Sequence, residues 1–205
     1  MRASLHSRGG RPSIAALNLS ALSLEIVVAL GQRPSGMGAG ELARITRGAP
    51  TSIQNQVRGL VGGQIVARDA GRLALNPAHP ARAELVALGL RLAPPRIAMR
   101  LVVSANPAVE FATVDDGGFV MALSDKPAVE DLATLDTALA IIRRDRADVP
   151  MIVRFSMEDL ARILRSAVGL RTRIAAAELL KGVRRTGPSG AMHRPFVPGR
   201  GTRIR

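Results

Sequence analysis

GELARITRGAPTSIQNQVRGLVGG, residues 40–63, is the stretch whose reading decides the fold. Leu42 and Ile45 fall on one face of a helix over Ala39–Arg47 that stops at Gly48. A second helix follows, started by Pro50 in its first turn or capped by Thr51 or Ser52. Its apolar stripe is Ile53, Val57, Leu60 and Val61, and Gly62-Gly63 ends it. With that stripe packed inward, Thr51, Ser52, Gln54, Asn55 and Arg58 face outward, and no carboxylate stands among them.

Upstream, Leu19, Leu22, Ile26, Val27 and Leu30 recur at helical spacing up to Gly31, with Pro34 beyond. Downstream, Gln64–Arg68 and Arg72–Leu75 flank Asp69-Ala70-Gly71, a small-residue turn that predicts a hairpin. Asn76-Pro77 breaks that pattern, and Arg82–Leu92 resumes a helix. Helix, helix, turn, helix and hairpin within about sixty residues is the winged-helix order. The exposed amide, hydroxyl and guanidinium groups of the third helix are the types that read base edges: Asn and Gln pair with adenine, Arg with guanine. Arg44 and Arg47, just before it, are expected on phosphates, and Arg68 and Arg72, flanking the hairpin turn, on the backbone or in the minor groove.

Charge supports a polyanionic partner because it is sorted along the chain. Residues 1–92 carry +7, residues 93–180 carry −1, and residues 181–205 carry +7, giving the +13 of the whole. A partner of the single-stranded kind is disfavoured, since aromatics are only 2%, with no Trp or Tyr on which bases could stack. With no Cys, disulfides, thiolate metal sites and Cys nucleophiles are excluded. His6, His79 and His193 have no metal-ligand spacing, and neither a metal nor another cofactor is expected. No apolar run approaches a membrane span, and Met1–Ser13 leads into no long apolar segment, so the cytoplasm is the expected compartment.

The chain divides on this reading into a flexible basic leader (1–13), the winged helix–turn–helix (14–93), a small α/β unit (94–180) and a disordered basic tail (181–205). Pro94-Pro95 marks the central boundary. In the third segment a helix is predicted over Arg96–Ser104, and strands over Val109–Val114 and Phe119–Leu123 around Asp115-Asp116-Gly117-Gly118. A long helix from Glu130 to Arg146, a strand over Met151–Phe155, a helix opened by the capping box at Ser156 and a last helix over Thr172–Leu180 complete it. The fold class is α+β, mainly α with small β.

The stretch from Leu22 through Leu92 resembles the bacterial ArsR-like winged-helix regulators. The resemblance rests on Gly40–Thr46, on the Gly-Leu-Val-Gly-Gly-Gln-Ile-Val run at 59–66, and on the wing and its exit, Gly71–Pro80. The exit Asn76-Pro77-Ala78-His79-Pro80, followed by Glu84-Leu85, resembles the subset that carries a nucleotidyltransferase-like domain. Catalysis in that fold needs a Gly-Ser turn and an Asp-x-Asp pair for two metals. Neither is present. Val114-Asp115-Asp116-Gly117-Gly118-Phe119 reads instead as a hairpin turn, with adjacent aspartates pointing to opposite sides of a strand. The resemblance therefore implies a degenerate, non-catalytic second domain used for dimerisation or for a protein partner. The expected function is a DNA-binding transcriptional regulator, a homodimer on duplex DNA. Alternatives are a nucleotidyltransferase or antitoxin-type protein of a toxin–antitoxin pair, and a winged helix used for protein contacts alone.

Overall fold

The computed structural model describes residues 19–144 and 148–182. The chain is α+β, with eight helices and six strands among the described residues. No helix there is long and apolar enough to cross a membrane. The leader, Ile14–Asn18 and residues 183–205 lie outside the described residues.

Helix α1 spans Ala21–Gly31, and its N-cap Ser20 accepts a hydrogen bond from the Ser23 amide. Helix α2 spans Ala39–Thr46 and α3 spans Pro50–Gly62. Of the two starts open to α3, the structure takes Pro50 in the first turn, where a missing N–H costs nothing, and Ala49 is the N-cap. Strands β1 (Val66–Asp69) and β2 (Arg72–Leu75) pair antiparallel around Ala70-Gly71, both at positive φ, as a two-residue hairpin requires. β1 starts two residues later than the alternation predicts. Gln64, at φ +58, and Ile65, whose amide bonds Leu60 O, are used to turn the chain out of α3. Met37 bridges to Leu73 through two 2.9 Å hydrogen bonds, tying the α1–α2 loop to β2. Helix α4 spans Arg82–Leu92.

Helix α5 (Pro95–Ala105) leads to β3 (Val109–Asp115), β4 (Gly118–Leu123), α6 (Val129–Arg143), β5 (Ile152–Ser156), α7 (Met157–Ser166), α8 (Val168–Ala176) and β6 (Glu178–Lys181). The four strands form one sheet in the order β5-β4-β3-β6, parallel between β4 and β5 and antiparallel elsewhere. Successive residues of β4 serve opposite faces. Phe119 and Met121 join the main core with α5 and α6, while Val120 and Ala122 pack with Leu160 of α7 and Ile174 of α8. A register shift between Val109 and Phe111 turns these two to opposite faces, although they stand two apart.

Two expectations are corrected. The helix expected over Thr172–Leu180 is α8, starting at Val168 and ending at Ala176; Glu178–Lys181 is instead strand β6, paired with β3. The Ala175-Ala176-Ala177 run favours helix locally, but the open edge of β3 supplies ladder partners that a helix there would leave unpaired. Lys181, taken as the start of the tail, is part of the sheet. Pro94-Pro95 is a helix start, with Pro95 in the first turn of α5. The core passes through it without a break: Ile26 of α1, Leu90 of α4, and Met99 and Val102 of α5 belong to one buried cluster that reaches Phe119 and Leu180.

Candidate nucleic-acid interface

Ile53, Val57 and Leu60 are buried under α3, as their spacing requires, but Val61, expected on the same stripe, lies one residue past Leu60 and is exposed. Gln56 lies on the same side. Its Oε1 accepts hydrogen bonds from Ser20 Oγ at 3.0 Å and Ser23 Oγ at 2.5 Å, and so pins α3 to the first turn of α1. The only signal of this in the sequence is that Gln56 stands three residues after Ile53, on the buried stripe.

The opposite face is open. Thr51, Ser52, Gln54, Asn55 and Arg58 are all exposed, and none makes a hydrogen bond or ion pair with another described residue. Thr51, Asn55, Arg58 and Gly62 fall at i, i+4, i+7 and i+11, so they run along one line of the helix. From Thr51 to Gly62 that line runs about 17 Å of the thirteen-residue helix. A Cβ built on Gly59 or Gly62 meets nothing within 4 Å, so this face is also free of backbone-shielding side chains. On the hairpin, Arg68 is exposed and likewise has no partner among the described residues; Asp69 beside it is also exposed.

Two of the expected arginines, Arg72 and Arg47, are engaged within the chain. Arg72 Nε donates to Ser35 O at 3.1 Å and its Nη2 donates to Gly36 O, so this guanidinium buttresses the α1–α2 loop. Arg47, at φ +57 just past α2, forms an ion pair with Glu178 of β6. Arg44 is exposed on α2, on the side of Lys181, whose ammonium it helps to destabilise. The Arg47 ion pair points to the junction with β6, while Arg44 has no hydrogen-bond or ion-pair partner among the described residues. The partner of Arg47, Glu178, comes from the far end of the chain, which local spacing does not reveal.

That junction holds a partly buried cation. Lys181 Nζ donates to Asn106 O at 2.5 Å, and burial, then the charges of Arg33 and Arg44, push its pKa down to about 8 against the pull of Glu41 and Asp131. An unfolded lysine titrates near ~10.4, so between about pH 8 and that value the unfolded chain holds more protons, and stability rises with pH. The penalty is fully present below pH 8, and is worth at most about 3 kcal/mol before screening at the partly exposed ammonium. The chain has no Tyr or Cys, so no phenol or thiol contributes in this window. Urea unfolding of the wild type should show stability climbing through this window, and Lys181→Met should flatten that rise. An unchanged slope in the variant would assign the effect elsewhere.

In the second half, Asp115 pairs with Gly118 across a two-residue turn at Asp116-Gly117. Both Asp115 carboxylate oxygens receive Arg173, through Nε and, at 2.7 Å, Nη2; Oδ1 also accepts the Gly117 amide at 2.8 Å. Arg173 is the main cause that holds the Asp115 carboxyl below its ordinary value. Arg96 Nη2 donates to the carbonyls of Asp115 and Asp116, and Asp116 stands exposed at the tip. Among the described residues, no three His, Cys, Asp or Glu side chains come together as a metal site. No protein-family model, curated protein or solved structure matches this chain.

Proposed function

We propose that residues 19–92 are a winged helix–turn–helix of the ArsR-like kind, with α3 as the recognition helix and the β1–β2 hairpin as the wing. On this reading the protein is a cytoplasmic transcriptional regulator that binds duplex DNA. The observation that carries the reading is the line Thr51–Asn55–Arg58: exposed donors and acceptors without internal partners, on a face that bears no carboxylate. A solvated helix face ordinarily mixes in acidic residues for i,i+4 pairing; a face built for phosphates and base edges excludes them. Gln56 and the buried stripe fix that face rigidly relative to α1. The second half is read as a protein-contact unit, and within it the Asp115 carboxylate is taken up as the anchor of Arg173.

Selection from a random duplex library with the full chain should return an enriched motif, and failure to enrich any sequence would contradict sequence-specific reading. Gly59 supplies a sharper test. Gly→Ala in an exposed helix interior gains about 0.5–1 kcal/mol, and at Gly59 the added methyl meets no neighbour. Gly59→Ala should therefore raise the melting temperature while lowering duplex affinity several-fold, because the methyl stands between the helix backbone and the groove. Higher stability with unchanged affinity would place Gly59 off the interface.

A further inference from the structure

Helices α1, α4 and α6 leave a cleft where they meet, between the winged-helix half and the second half. Gly31 and Gln32 at the end of α1, Val86 and Leu90 of α4, and a strip of α6 from Ala133 to Ile141 line a space of about 260 Å³. Its wall is apolar except for Gln32, Thr134 and Thr137, and no charged side chain lines it. The volume falls just below the ~300–1,000 Å³ of ordinary ligand clefts, and the setting is theirs: a junction of packed units with few polar groups.

Gln32 is only 1% exposed, and its neighbour fixes which way its amide is turned. Asn106 Oδ1 accepts the Ala108 amide at 2.9 Å, so Asn106 Nδ2 must be the donor to Asp131 O at 2.9 Å and to Gln32 Oε1 at 3.4 Å. The Gln32 oxygen therefore faces Asn106. Its Nε2 amino group, left on the cleft side, has no acceptor among the described residues. The nearby Thr134 hydroxyl donates to Glu130 O at 2.8 Å and is already satisfied. A polar group as enclosed as this one is ordinarily hydrogen-bonded, and an oxygen atom entering the cleft would complete it. That oxygen belongs to a neutral molecule, because a carboxylate would lose water here and meet no counter-charge in the wall. We propose that the α1–α4–α6 cleft binds a small neutral carbonyl compound. The carbonyl oxygen accepts from Gln32 Nε2, and the apolar body packs on Val86, Leu90 and Ile141. This site does not depend on the DNA-binding reading.

Acetophenone and α-methylstyrene are the probes, since they share a shape and differ by a carbonyl oxygen in place of a methylene. Titrated into the isotope-labelled full chain without DNA, acetophenone should bind with a dissociation constant on the order of 1 mM, ordinary for so small a molecule. It should shift the Gln32 side-chain amide resonances, which are assigned by their loss in Gln32→Leu. At equal concentration, about 0.5 mM, α-methylstyrene should shift the amides of the cleft at least about fivefold less. Gln32→Leu should level the two probes by weakening acetophenone about fivefold. Ala133→Trp sets a large ring at an exposed position on the rim of the cleft and should abolish binding of both. That variant decides the matter if Gln32→Leu fails to fold by circular dichroism. No shift at about 20 mM acetophenone, well above the expected dissociation constant, would overturn the proposal. So would equal responses to the two probes in the wild type, or binding that Ala133→Trp leaves unchanged.

Discussion

Asn55→Ala and Arg58→Ala together should reduce affinity for a selected duplex by about two to three powers of ten, with the fold intact. Each bidentate base contact is worth about 1–3 kcal/mol, and losing two gives roughly 3–4 kcal/mol, or that span of binding constant. The fold should tolerate the change for a local reason. Both side chains are exposed and without partners among the described residues, and alanine is the better helix former than asparagine by a few tenths of a kcal/mol. Circular dichroism should show an unchanged or slightly higher melting temperature, while fluorescence anisotropy shows the loss. Gln56→Ala separates the two roles: it leaves the outer face intact but strips two serine hydroxyls of their acceptor. It should cost stability, not specificity. A double variant that binds within threefold of the wild type would remove α3 as the reading element.

Gly118→Ala should produce the largest loss of stability of any single methyl in the described chain. Gly118 opens β4 at φ +128, a region that residues with a Cβ rarely enter. The added Cβ would lie 3.0 Å from Met151 C and N and closer still to Met151 O, all backbone atoms that no rotamer change can move. Relief requires β4 and β5 to part, which breaks the 2.7 Å hydrogen bond from the Phe119 amide to Met151 O and disturbs Phe119, fully buried in the main core. Strain at such a site costs about 1–3 kcal/mol, and a lost buried hydrogen bond adds about 1–3. A loss of about 3–5 kcal/mol is therefore expected in urea unfolding, a large part of the ~5–15 kcal/mol that holds a domain together. Gly117→Ala is the comparison. Its Cβ meets the end of the Arg173 side chain, not backbone, so the cost should be near 1 kcal/mol. Equal effects at the two glycines would show that β4 and β5 are not held as closely as described.

The elements from α1 to α4 were legible because their signals are local. Periodicity placed the buried stripe Ile53–Val57–Leu60, glycines and prolines placed the ends, and a small-residue turn placed the hairpin. The same stripe told which way Thr51, Asn55 and Arg58 face. What stayed hidden depends on residues distant in sequence. Glu178 turns Arg47 away from α3, Ser35 and Gly36 hold Arg72, and β3 converts Glu178–Lys181 from an alanine-led helix into an edge strand. Pro94-Pro95 reads as a linker locally, but Pro95 is equally at home in the first turn of a helix, and only the packing of α5 on α1 shows which use applies.

Arg47 and Lys181 also give the two halves a shared boundary. β6 meets α2 through the Arg47–Glu178 pair, next to the turn that sets the direction of α3. The pair is largely exposed, so its contribution to stability is small, below about 1 kcal/mol. Its consequence is positional: whatever displaces β6 releases the residue that ends α2.

A salt titration of the full chain on its selected duplex tests the proposal that α3 reads duplex DNA. Phosphate contacts release counterions, so each one steepens the fall of affinity with salt. The dissociation constant should be sub-micromolar at about 50 mM salt and should weaken by about two powers of ten by about 200 mM. Absence of binding at the lower salt, or binding that does not change across the range, would contradict it.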